Sequence, residues 1–121
     1  MTIKSYRDLE CWQLCVQLRN ETLAFVARRD VARDLKFCDQ LTDAARSAPA
    51  NIAEGFGRSS RQFHRYLDIA IGSLQEFETH IDEALTRRML TPGEHERFRC
   101  LAKRARLTSI RLAAYLRRNS K

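Results

Sequence analysis

The chain has 121 residues, of which 44% are apolar and 31% charged, and it contains only four Gly and two Pro. That length fits one domain around one contiguous core, and the scarcity of Gly and Pro argues against an all-β fold or long loops. The net charge of +7 is unevenly placed: residues 1–96 carry 13 Lys/Arg against 15 Asp/Glu, whereas residues 97–121 carry nine Lys/Arg and no acid.

Four helices are predicted. The first runs from about Tyr6 to Arg28 and is opened by Ser5-Tyr6-Arg7-Asp8. This is capping-box spacing: the hydroxyl accepts from an orphan backbone N–H, and the side chain three residues on reaches back. Leu9, Trp12, Val16, Leu23 and Val26 share one face, the expected core side. Cys11, Leu14, Leu18 and Phe25 cluster roughly opposite, taking 100° per residue, and form a second apolar face. The second helix runs from about Asp34 to Phe56, with Leu41, Ala45, Ala48 and Ile52 inward. Pro49 lies inside it, removes one backbone donor and is expected to kink it, and Gly55 and Gly57 end it.

The third helix is opened by Ser59-Ser60-Arg61-Gln62. Its Phe63, Leu67, Ala70, Leu74, Phe77, Ile81 and Ala84 alternate steps of four and three, the seam of a bundle or coiled coil. The fourth runs from about Pro92 to Arg118. It is opened by Thr91-Pro92-Gly93-Glu94, with Pro at the first helical position. Phe98, Leu101, Ala105, Leu112 and Leu116 face inward, and Cys100, Leu107, Ile110 and Ala114 lie on the far side. Short connections make neighbours antiparallel, so the expected fold is all-α: an antiparallel up-down-up-down four-helix bundle, a single domain over 1–121.

A bundle helix normally shows its far side to water, and large exposed apolar patches mark interfaces. Second apolar faces on the first and last helices therefore predict self-association through Leu14, Leu18, Phe25, Leu107, Ile110 and Ala114; scattered surface leucines are the alternative. Arginines flank the stripe of the last helix. Arg97, Arg104, Arg111 and Arg118 recur every seven residues, and Arg99, Lys103, Arg106 and Arg117 form a broader line on the other side. Such a surface attracts polyanions or acidic partners and holds phosphates without reading bases. Only Phe98 and Tyr115 lie near it, too few aromatics for a single-strand binder. A solvated helix face is the plainer alternative.

No catalytic pattern emerges. A di-metal carboxylate site in a bundle needs Glu-x-x-His pairs, but Phe77 and Arg61 stand three residues before His80 and His64. Gly55-Phe56-Gly57 is not followed by the Lys-Ser/Thr of a phosphate loop, and no nucleophile sits in a known motif. Cys11, Cys15, Cys38 and Cys100 form no C-x-x-C pair and have no His at zinc spacing, which fits buried free thiols in a reducing compartment. No apolar run approaches the ~20 residues of a membrane span, and Met1 to Leu9 is unlike a secretory signal. The expectation is a cytoplasmic protein with no cofactor, no metal and no enzymatic activity.

One segment is distinctive: Ser47-Ala48-Pro49-Ala50-Asn51-Ile52-Ala53-Glu54-Gly55-Phe56-Gly57-Arg58-Ser59. It is followed by Gln62-Phe63-His64-Arg65-Tyr66-Leu67 and by Ile69-Ala70-Ile71-Gly72-Ser73-Leu74-Gln75-Glu76-Phe77-Glu78-Thr79, with Asp8-Leu9-Glu10-Cys11-Trp12-Gln13 near the start. From about Tyr6 to Thr79 these blocks resemble the four-helix-bundle family of proteins encoded in intervening sequences of bacterial 23S ribosomal RNA genes. Ala48 stands where the family pattern has Ile, and the last helix is similar in character only. The resemblance implies a cytosolic bundle assembled into a ring, a pentamer. It also implies kinship with the accessory proteins of diversity-generating retroelements, basic rings that bind a reverse transcriptase and nucleic acid.

The motif also has an architectural reading. Asn51 satisfies a carbonyl freed at Pro49, Glu54 pairs with Arg58 at i,i+4, Gly72 and Ser73 let the third helix approach a neighbour, and Glu76 caps or pairs with a basic group of another helix. The alternative is a binding surface of Asn51, Glu54, Arg58, Arg61 and Arg65. Two functions are compatible with these features: a homo-oligomer binding RNA, DNA or a nucleoprotein through its last helix, or a protein–protein adaptor for an acidic or RNA-binding enzyme partner.

Overall fold

The computed structural model describes residues 2–119. The single-domain reading over 1–121 also takes in Met1, Ser120 and Lys121, which lie outside the described residues. The described residues hold five α-helices, four of them long, and no strand. A 3₁₀ turn, Tyr6–Asp8, precedes α1 (Glu10–Val26); α2 (Arg29–Ala32) is one turn; α3 (Leu35–Gly55), α4 (Ser60–Thr86) and α5 (Pro92–Arg118) complete the chain.

Local chemistry sets these boundaries. The Ser5–Asp8 capping box is formed, but it closes the 3₁₀ turn, and extended backbone at Leu9 (φ −77°, ψ 128°) separates that turn from α1. The first predicted helix is thus divided at both ends, since α1 stops at Val26 and α2 is a separate turn beyond it. Ser59 Oγ accepts from the Gln62 N–H at 3.3 Å to start α4. At α5 the box is complete: Thr91 Oγ1 accepts from Glu94 N at 3.1 Å, and Glu94 Oε1 accepts from Thr91 N at 2.9 Å. The Thr91 N–H, and then Arg28, hold the Glu94 carboxyl below its ordinary range. Its contribution to stability is present above the ordinary glutamate value and is lost as pH falls through the lowered one.

Each long helix packs on two others: α1 on α3 and α5, and α4 on α3 and α5. The bundle therefore has four corners in the order α1, α3, α4, α5. Across α3 and α4, Asp34 meets Arg87, Ser47 meets Ser73, and Gly55 meets Tyr66. Across α1 and α5, Arg28 meets Glu94 and Glu21 meets Arg97. Across α4 and α5, Glu78 meets Arg106 and Asp82 meets His95. The predicted seam of α4, Phe63 to Ala84, is buried throughout. Phe25, Phe98 and Phe77 stack in a column through α1, α5 and α4, with centroids 5.8 and 5.9 Å apart.

The inward face of α1 is the reverse of the one expected. Cys11, Leu14, Cys15, Leu18, Thr22 and Phe25 are its buried residues, while Trp12, Val16, Leu23 and Val26 are half-buried. Leu14, Leu18 and Phe25, at 6%, 0% and 4% exposure, belong to the core and are not available as an interface. Both faces of α1 are apolar, so helical periodicity alone does not choose between them. Cys15 and Thr22 decide it, because they complete an unbroken ladder 11-14-15-18-22-25. Thr22 is tolerated inside because its hydroxyl donates to the Leu18 carbonyl at 2.7 Å.

The thiols divide as their positions dictate. Cys11 and Cys15 are buried, Cys38 is half-buried and Cys100 is exposed, so the expectation of buried thiols holds for the α1 pair. Burial pushes Cys11 up to about 11 and Cys15 higher still. An alkylating reagent should therefore modify Cys100 first and reach Cys11 and Cys15 only as the protein unfolds, read by mass spectrometry along a urea series. Early labelling of Cys15 would contradict this packing.

Candidate binding surfaces

The distinctive segment builds the α3–α4 side of the bundle. Pro49 is buried inside α3, which continues through it to Gly55. Asn51 Nδ2 donates to the Ser47 carbonyl at 2.8 Å and lies 3.1 Å from Ser47 Oγ. Ser73 Oγ of α4 is 2.8 Å from Ser47 Oγ and 3.1 Å from the Ile69 carbonyl. The polar groups of buried Ser73 and of half-buried Ser47 and Asn51 thus satisfy one another across two helices, as buried polar groups must. Glu54 pairs with Arg58 at i,i+4 as expected, and the Arg58 guanidinium lies 5.1 Å from the Tyr66 ring centroid.

Gly55 ends α3 as expected and also supplies the close approach that was expected of Gly72. Gly55 is a buried helical residue where an added Cβ would come within 2.7 Å of Tyr66 Cβ and 2.9 Å of Phe63 Cδ1; it permits the close approach of α4. The turn itself is made by Gly57, at φ +85°. Gly72 is exposed, and a Cβ there would meet nothing within 4 Å, so no neighbour within this fold requires it. Glu76 likewise reaches no other helix; the basic side chain beside it is His80 of α4, at 3.5 Å.

The eight basic residues of α5 fall into two groups. Arg97 forks onto Glu21 of α1 at 2.7 and 2.9 Å. Arg106 grips Glu78 of α4 at 2.7 Å, both side chains about three-quarters buried. Arg99 pairs with Glu96 one turn back, which pulls the Glu96 carboxyl down to about 2. These three hold the bundle or its own helix. Lys103, Arg104, Arg111, Arg117 and Arg118 are exposed and have no ion-pair partner among the described residues. The stripe between them remains partly open: Ile110 is 39% exposed, and Leu107 and Ala114 are half-buried.

Sequence reasoning missed one surface. An open groove of about 560 Å³ runs between α1 and α3, lined by Trp12, Arg19, Leu23, Arg46, Pro49 and Ala53 among others. Its lining contains two cations and no acid, and neither Arg19 nor Arg46 has an ion-pair partner among the described residues. The signal lay in α3, where Arg46, Ala50 and Ala53 recur at steps of four and three on a face separate from Leu41, Ala45 and Ala48. A smaller groove of about 290 Å³ lies beside Arg58, Arg65 and Ile69; Arg61 is exposed on the preceding turn.

Among the described residues, no three His, Cys, Asp or Glu side chains gather as a metal site would require, and no helix is long and apolar enough to cross a membrane. The fold and its surfaces define a small all-α protein whose last helix is basic on the outside. The family model described as 23S rRNA-intervening sequence protein matches residues 7–108, and the chain belongs to that family. The match covers the α3–α4 segment and the first half of α5, and Arg111, Arg117 and Arg118 lie past its end. No curated protein matches the chain.

Proposed function

We propose that this chain is a non-enzymatic, homo-oligomeric cytoplasmic protein that holds nucleic acid, or a nucleoprotein, on the outer surface of α5. Its frame is the antiparallel up-down-up-down bundle. In support, residue numbers rise along one helix as they fall along its neighbour: 34, 47 and 55 meet 87, 73 and 66. Self-association rests on Ile110, Leu107 and Ala114 of α5, and a ring of five subunits is the form that the family resemblance implies.

One observation carries the nucleic-acid reading. Five cations of α5 are exposed without ion-pair partners among the described residues, on a stretch that has no acid after Glu96. Cations so placed release counterions when they meet phosphates, and they position a strand without reading its bases. Repetition round an assembly adds avidity. The test titrates structured RNA and duplex DNA at several salt concentrations, beside an Arg104→Glu/Arg111→Glu variant checked for helicity and mass. Wild type should show a log–log salt slope of about −3 or steeper on duplex, from Arg104, Arg111 and Arg118, and the variant should bind at least about tenfold more weakly. A flat salt dependence, or no binding at physiological salt, would turn the search to protein partners.

The α1–α3 groove favours a second reading, an adaptor for an acidic or RNA-binding protein partner. Its two arginines, without ion-pair partners among the described residues, stand above an apolar floor and suit acids on a protein surface. On that reading RNA alone binds poorly, and an Arg46→Glu change weakens the protein complex.

A further inference from the structure

Charge is unevenly placed on the last two helices: beyond Arg61 and Arg65 of its first turns α4 is acidic, and beyond Glu94 and Glu96 of its first turns α5 is basic. From Tyr66 to Thr86, α4 carries five acids and no Lys or Arg; from Arg97 onward, the only charged residues are cations. Each of the two helices also exposes a large apolar side chain, Ile69 on α4 (52%) and Ile110 on α5 (39%).

Their neighbours place both faces. Ile69 and Glu76 lie one turn before and after Ser73, which touches Ser47 of α3, so both sit on the flank of α4 turned toward α3. Lys103 and Ile110 lie one turn before and after Arg106, which grips Glu78, so both sit on the flank of α5 turned toward α4. Gly72, between Ile69 and Glu76, offers bare backbone to a side chain from another molecule. Among the described residues, the ion-pair contacts of Asp68 and Glu76 are with His64 and His80 of their own helix, at 3.4 and 3.5 Å.

We infer that these faces are partners in successive copies of the chain: the α4 edge Asp68-Ile69-Gly72-Glu76 of one subunit receives Lys103, Leu107 and Ile110 of the next. The inference rests on the self-association proposed above and names its contact. Leu107 and Ile110 close over Gly72 beside Ile69, and Glu76 meets Lys103. The strips match in length, since Asp68 to Glu76 spans about 12 Å of helix and Lys103 to Ile110 about 11 Å. The faces differ, so the contact is head-to-tail, which yields a closed ring or an open filament. They lie on adjacent sides of a four-cornered bundle. Each subunit is therefore turned against the last, as closing a ring requires. The line Arg104, Arg111, Arg118 follows Arg97 onto the α1 flank of α5 and stays free for phosphates.

Light scattering on the full chain tests this with two variants, Gly72→Gln and Ile110→Glu, each checked for helicity by circular dichroism. Gly72→Gln adds bulk where nothing within the subunit stands in the way, so its fold is expected to be intact. Wild type should show several chain masses and each variant one. An equimolar mixture should reach two chain masses and stop, because each variant keeps the face the other has lost. Wild-type mass in Gly72→Gln overturns the contact and leaves self-association standing. A mixture that stays at one chain mass overturns the head-to-tail geometry, and a monomeric wild type overturns self-association as well.

Discussion

Leu18→Ala is expected to cost ~2–5 kcal/mol of folding stability, the range for truncating a fully buried leucine. Leu18 is 0% exposed, in the ladder that α1 turns into the core between α3 and α5. The loss has two parts, the transfer free energy of the removed carbons and the cavity left where rigid neighbours cannot collapse. The measurement is urea unfolding at several protein concentrations. A core residue lowers stability by the same amount at each concentration, whereas an interface residue would act only where subunits associate. A concentration-dependent loss with an unchanged monomer would restore the outward reading of this face.

Gly55→Ala should be the second largest effect, for the opposite reason. The added carbon would lie 2.7 Å from Tyr66 Cβ, an atom fixed to the α4 backbone, so a helix must shift rather than a side chain rotate. Overpacking of this kind costs ~1–3 kcal/mol, of which alanine's better helix propensity offsets roughly 0.5–1. Gly57 is the control. Nothing crowds its Cβ position, and its φ of +85° makes any loss there a matter of backbone conformation alone. A Gly55→Ala protein as stable as wild type would mean that α3 and α4 do not approach as described.

These two residues show what could be read from the chain. The α4 seam was legible because its other face is polar, so periodicity had one answer. On α1 both faces are apolar, and the small residues Cys15 and Thr22, which a count of large hydrophobes passes over, decide which one turns inward. The motif glycines were recognisable as special, but their roles depend on which helix stands opposite, and that is tertiary information. On α5 the cations were all visible in the sequence. Which of them are engaged was not, because Glu21 and Glu78, the partners of Arg97 and Arg106, lie 76 and 28 residues away.

The chain contains one tryptophan, and it stands in the wall of the α1–α3 groove, edge-on to Tyr6 with ring centroids 5.2 Å apart. Indole emission from the unlabelled protein therefore reports on that groove alone. An acidic protein settling there changes the solvent around Trp12 and shifts its fluorescence, while a strand lying along Arg104, Arg111 and Arg118 leaves the spectrum where it was. The molecule carries its own optical signal for telling which of its two cationic surfaces is occupied.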